Sequence, residues 1–160
     1  MSARPLSKRE RLEATKVFQA TIPLDKIALT GSLGAGNRPF TTPNPWPWDW
    51  QSWDIHFGTE QHWQRLIGKY GVNYYWETLI HELTHVWQGH NSAFALGYIF
   101  NSLWHQAVES DAYKYAPGKT WNDYNVEQQA HLVEDWYAKG LQESDPRFPY
   151  IRDNIWRRKT

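Results

Sequence analysis

The run His81-Glu82-Leu83-Thr84-His85 has the form H-E-x-x-H, a pairing of residue types that serves metal-assisted hydrolysis. On a helix, positions i and i+4 lie on one face, so the imidazoles of His81 and His85 can share one divalent ion, with Zn²⁺ the natural choice for nitrogen ligands. Glu82 then stands one residue further round, beside the water that such an ion activates. The chemistry implied is amide hydrolysis, with the metal as Lewis acid. Glu82 is the general base that takes the water's proton and returns it to the leaving amine. From Tyr74 to Gln88, the residues Trp76, Leu79, Ile80, Leu83 and Trp87 recur at helical spacing, so the motif falls on a helix with a face to bury.

A catalytic zinc takes three protein ligands and keeps a fourth position for water. The chain has no Cys, so the third ligand must be a histidine or a carboxylate. The metzincin pattern would require Gly at position 88 and His at position 91, and Gln88 and Asn91 exclude it. His90 lies five residues past His85 and points off the metal face. A gluzincin takes a glutamate from a later helix instead. Glu127 is the preferred residue, in the first turn of a helix opened by Asn125, with the small Ala130 beside it to let that helix pack close. Glu109, in the run Val108-Glu109-Ser110-Asp111-Ala112, is the alternative third ligand. Glu134 and Asp135, about two turns beyond Glu127, could hold a ligand histidine by its other ring nitrogen, or stand exposed. Tyr113, Tyr115 and His131 are candidates for donating to the oxyanion of the transition state. His56, His62 and His105 read as packed or exposed histidines.

At 160 residues and 41% hydrophobic content, the chain reads as one domain over 1–160, with 1–6 and 158–160 as flexible ends. Seventeen basic residues balance seventeen acidic ones, so no net field favours nucleic acid or an anionic membrane surface. No stretch reaches 18 apolar residues, which argues against membrane insertion. Met1 to Lys16 is charged and lacks an apolar core, so no signal peptide is expected. Such a protein is made in the cytoplasm, and action beyond it would need a secretion machine or a parent polypeptide as carrier. The absence of Cys suits reducing and oxidising compartments alike.

The positioning elements follow from punctuation. Ser7 with Glu10 is a capping-box pair that starts a helix carrying Leu12, Val17 and Phe18 and ending before Pro23. Lys26 to Thr30 reads as a short strand, Gly31 to Pro47 as a loop, and Trp53 to Phe57 as a second strand. Gln61 to Tyr70 reads as helix, stopped at Gly71. The motif helix runs from an N-cap at Asn73 to Gln88, and an apolar helix follows from Ser92 to about His105. Ala107 to Tyr115 adds a turn or helix, broken at Pro117-Gly118. Asn125 with Gln128 caps the last strong helix, which ends near Lys139. Few short strands among many helices give an α+β domain, mostly helical with a small sheet.

A second unusual feature is Pro43 to Trp53, with four Trp in eight residues. These rings could line a peptide- or sugar-binding groove; the simpler reading is that they cover a core where strands are few.

The segments His81-Glu82-Leu83-Thr84-His85-Val86-Trp87-Gln88, Val17-Phe18, Ile22-Pro23-Leu24-Asp25-Lys26-Ile27 and Tyr124-Asn125-Val126-Glu127-Gln128-Gln129-Ala130 carry a resemblance. They resemble the small zincin-like metallopeptidases of bacterial contractile secretion systems, in particular the metallopeptidase toxin domain at the C-terminus of certain type VI secretion spike proteins. The resemblance implies zinc held by His81, His85 and Glu127, with Glu82 catalytic. It further implies an antibacterial effector with a polypeptide substrate, acting in the target cell's periplasm and countered by an immunity protein. No spike or other delivery domain is recognised here.

The resulting expectation is a gluzincin-type zinc peptidase. Two other readings are a zinc-stabilised binding module that uses the Trp-rich loop, and an amidase acting on peptidoglycan cross-links.

Overall fold

The computed structural model describes residues 3–44, 52–92, 114–116 and 118–159. Glu109, Tyr113, His105, Trp46, Trp48 and Trp50 lie outside them, as does the helix expected after Ser92. The expected α+β class holds. A four-stranded sheet comprises β1 (Arg4–Pro5), β2 (Ile27–Thr30), β3 (Phe40–Pro43) and β4 (Trp53–His56). The principal helices are α1 (Lys8–Phe18), α2 (Glu60–Tyr70), α3 (Asn73–Asn91) and α4 (Val126–Ala138). A helical turn over Phe148–Tyr150 runs on into a wider π turn over Ile151–Ile155. Among the described residues, no helix is long and apolar enough to cross a membrane.

The sheet order is β1-β2-β4-β3, with β2 and β4 parallel and both outer pairs antiparallel. The pleat alternates burial, so Ile27 and Leu29 of β2 and their partners Trp53 and Ile55 of β4 all face the core. β3 occupies part of the stretch expected as a loop, and this is a correction. Phe40-Thr41-Thr42 is too short a signal by itself. The antiparallel register Thr41↔Ile55 makes it a strand, and Pro43 is tolerated at its end because β3 is an edge.

The capping box of α1 is present: Ser7 Oγ accepts from the Glu10 N–H at 3.3 Å, and the Glu10 carboxylate accepts from the Ser7 N–H at 2.6 Å. The same carboxylate receives a two-pronged bond from Arg4 at 2.8 Å on each oxygen and a hydrogen bond from Tyr75 of α3. Arg4 and Pro5, within the stretch expected as a flexible end, pair with Leu29 and Ala28 as β1. One buried carboxylate thus ties β1, α1 and α3 together. Burial pushes the Glu10 carboxyl up, but the bonds from Arg4, Tyr75 and Ser7 outweigh it and hold the group at about 2.

α3 is the centre of the molecule. Ten of its residues from Leu79 to Gly89 are buried, including Leu79, Ile80, Leu83, Val86 and Trp87. It packs against α4, α2, α1 and strands β3 and β4, and a helix enclosed on every side must find partners for its polar residues inside the protein. Asn73 is not the cap that its type suggests. It is the first helical residue, and the preceding Val72 is itself helical with no side-chain cap. Only Gly71 and Val72 separate α2 from α3, a turn made feasible by Gly71 at φ 90°. At the other end of α3, Gly89 lies under the Trp53 ring, and a Cβ there would come within 2.1 Å of Trp53 Cη2.

Two outcomes follow. Glu10→Gln should lower unfolding free energy at neutral pH by about 1–3 kcal/mol. The folded carboxyl at about 2 lies below its unfolded value of about 4.3. Its contribution is therefore complete above the unfolded value and is lost as pH falls from there toward 2. Denaturant titrations across that window should show a shallower acid loss in the variant. Gly89→Ala should cost about 1–3 kcal/mol or more in thermal unfolding, because the Trp53 ring it meets is itself buried and has nowhere to move.

Candidate metal centre

α3 delivers His81, Glu82 and His85, and α4 delivers Glu127 from its first turn. The α4 start forms as its sequence dictates: Asn125 Oδ1 accepts from the Gln128 N–H at 2.8 Å, and Gln128 Oε1 accepts from the Asn125 N–H at 3.2 Å. That capping box fixes where the first turn points. The Nε2 atoms of His81 and His85 lie 3.2 Å apart, and the two Glu127 oxygens lie 3.3 and 3.4 Å from them. His85 and Glu127 are buried, while His81 keeps 12% of its side chain open to solvent, which leaves a way in.

The far sides of both rings are committed. His81 Nδ1 lies 3.0 Å from Glu134 Oε2, and His85 Nδ1 lies 2.8 Å from Gln88 Oε1. A carboxylate and an amide oxygen only accept, so each Nδ1 carries a proton, and either ring in its neutral form turns a lone pair on Nε2 toward Glu127. Three acceptors therefore meet at one point. Ligand atoms about 2.05 Å from a single tetrahedral zinc stand about 3.3 Å apart, so this donor set suits that ion in both type and spacing.

The electrostatics agree. Burial pushes the imidazoles down, but Glu127 and Glu134 raise His81 well above its ordinary value, and Glu127 raises His85. Burial pushes Glu127 up, yet the charge and hydrogen bonds of His85 and His81 hold it far below the usual carboxylate range. Glu134 is likewise held at about 2, burial being outweighed by bonds from His131 and His81. The cluster favours positive charge at its centre, from protons or from a metal ion.

Glu82 is buried beside this cluster. Burial raises its carboxyl; the positive fields of His85 and His81 and a 2.8 Å hydrogen bond from Thr41 Oγ1 partly offset the rise. Thr41 belongs to β3, the strand that the sequence does not announce, and its role was legible only as a β-branched run between Arg38 and Pro43. Gln88 is the other contributor that sequence reasoning missed. Its signal is a polar residue three positions after His85 on a face that must be buried.

The remaining candidates divide. Glu134 takes the histidine-holding position, and its Oε2 also lies 3.0 Å from His131 Nδ1. The His131 and His81 rings meet edge to face, 4.8 Å apart. Asp135 turns elsewhere, accepting from Tyr115 Oη at 2.5 Å while Arg147 donates to that same phenol at 2.7 Å. Burial lifts the Tyr115 phenol to about 12, with Arg147 opposing and Asp135 assisting. His56 is packed in the sheet, stacked on Phe40 and bonded to Thr42, and His62 is buried against Trp63. Of the Trp-rich run, Trp53 is a core residue of β4.

Fold and site together define an α+β domain whose central helix presents two histidines, completed by a glutamate from a later helix. That fold is similar to the effector domain of VgrG2b from Pseudomonas aeruginosa, with a TM-score of 0.61 over 97% of this chain and 84% of that one, at 24% identity. In sequence, 82 residues are 36% identical to the type VI secretion system spike protein VgrG2b of Pseudomonas aeruginosa. The match takes in 48% of this chain and 8% of that much longer protein. No protein-family model matches the chain.

Thr41→Val removes a side-chain hydrogen bond that favours charge on Glu82, so the Glu82 carboxyl should titrate at higher pH in the variant. Carboxyl-carbon NMR of the two proteins measures the shift, and an unchanged titration would refute the Thr41 contribution.

Proposed function

We propose that this chain is a zinc-dependent metallopeptidase, the effector domain of a type VI secretion system, acting on a polypeptide in the envelope of a target cell. The observation that carries the catalytic reading is the meeting of His81 Nε2, His85 Nε2 and Glu127 within 3.4 Å of one another, both Nδ1 atoms being spent on other partners. Delivery by the secretion apparatus is supported by the similarity to the VgrG2b effector domain and spike protein, and a cognate immunity protein would fit that context.

His81, His85 and Glu127 would hold the ion, which when bound supplies a Lewis acid that polarises the scissile carbonyl and makes water easier to deprotonate. Glu82 takes the proton from the attacking water at its carboxylate and passes it to the nitrogen of the departing amine. Its burial raises its proton affinity above that of an ordinary carboxylate, the direction that favours taking up the water's proton. Thr41 keeps the carboxylate aimed. His131, fixed by Glu134 beside His81, is the described residue best placed to steady negative charge on the carbonyl oxygen.

Elemental analysis and peptide-hydrolysis assays test this. The wild type and Glu82→Gln should each carry one zinc per chain, with hydrolysis in the variant reduced by about 10²–10⁴-fold or more. Glu127→Ala should lose zinc. A folded wild type that takes up no zinc when supplied with it would overturn the reading, and a Glu82→Gln protein with full biological effect would point to a binding module instead.

A further inference from the structure

Gln88 and Gln129 form a buried amide pair between α3 and α4 whose orientation leaves no freedom. The Gln129 side-chain nitrogen donates to the backbone carbonyls of Trp121 at 3.0 Å and Tyr124 at 3.4 Å, so its oxygen must face the other way. That oxygen accepts from Gln88 Nε2 at 2.9 Å, and the same Gln88 nitrogen donates to the Val126 carbonyl at 2.9 Å. With both its protons so used, Gln88 has only its oxygen left for His85 Nδ1, at 2.8 Å. Both glutamines are buried, Gln88 at 3% and Gln129 at 9%, so water does not compete to reverse either amide.

We infer that Gln88, aligned by Gln129, is a positioning residue that fixes His85 as an Nδ1–H tautomer with its Nε2 lone pair directed at Glu127. The backbone carbonyls of the turn before α4 set Gln129, Gln129 sets Gln88, and Gln88 sets the ring. The chain of bonds also joins His85 to the residue directly before Glu127, since Gln88 Nε2 grips the Val126 carbonyl. Two groups of the cluster, from two helices, are thus placed by one side chain. His81 is held differently, by the carboxylate of Glu134. The inference rests on the proposed metal site for its consequence in affinity, but the tautomer is a property of the protein itself.

The test uses the full chain in three variants, Gln88→Leu, Gln129→Leu and Gln88→Glu, with two readouts. Long-range ¹H–¹⁵N NMR of the metal-free protein at alkaline pH, where both rings are neutral, reports each histidine's tautomer. Chelator competition reports zinc affinity. Gln88→Leu should release His85 from the Nδ1–H form, moving its proton toward Nε2 and Glu127, while His81 stays as it was, and weaken zinc binding by about 10–100-fold. Gln129→Leu, which touches neither histidine, should release His85 in the same sense and serves if Gln88→Leu does not fold. Gln88→Glu keeps an acceptor at this position and should restore the single His85 tautomer. A His85 that stays in the Nδ1–H form in folded Gln88→Leu or Gln129→Leu overturns the inference. Zinc binding absent from the wild type would instead sink the metal reading, and the tautomer result would still decide this one.

Discussion

Three hydrogen-bond acceptors facing one another in a nearly dry pocket are repulsive unless positive charge sits between them, and the middle of this protein is arranged around that requirement. The two imidazoles cannot escape it by turning, because Glu134 and Gln88 hold their other nitrogens. Glu127 cannot escape it either, because the capping box at Asn125 fixes the turn that carries it. The arrangement calls for positive charge at its centre, carried by protons on the imidazoles or by a metal ion. This is why the cluster is suited to a metal ion.

The fold meets this requirement by enclosing α3. A helix buried from Leu79 to Gly89 has its apolar side chains in the core and its polar ones pointed at partners on β3 and α4. Close approach is part of the arrangement: the sheet reaches the helix through Trp53, which fits over Gly89 because no side chain is there. Large rings such as Trp53, Trp87 and Trp136 fill the space that a four-stranded sheet of short strands leaves, which accounts for much of the aromatic content.

Two buried glutamates show how partner choice divides structural from chemical roles. Glu10 faces Arg4, whose charge is permanent, and so it is a fixed tie between β1, α1 and α3. Glu127 faces imidazoles, whose charge is exchangeable for that of a metal ion. Both carboxyls are held below their ordinary range, but only the second lies where the displaced charge could be replaced by something from outside.

What was legible in the sequence is whatever depends on neighbours along the chain. The helices over 8–18, 60–70 and 126–138, the capping boxes at Ser7 and Asn125 and the shared face of His81 and His85 are set by contacts within four residues, and periodicity and cap chemistry record them. Glu127 could be nominated because its helix start was visible, although its meeting with the histidines across 42 positions was not. Tertiary structure decided the rest. β3 exists because β4 pairs with it, Thr41 reaches Glu82 only through that pairing, and Asn73 loses its capping role because α2 and α3 join too tightly. Gln88 acquires its role only when α4 brings Gln129 and the Val126 carbonyl against it. These are contacts between residues distant in sequence. Their geometry is set by packing two elements together, a relation that no local pattern along the chain encodes.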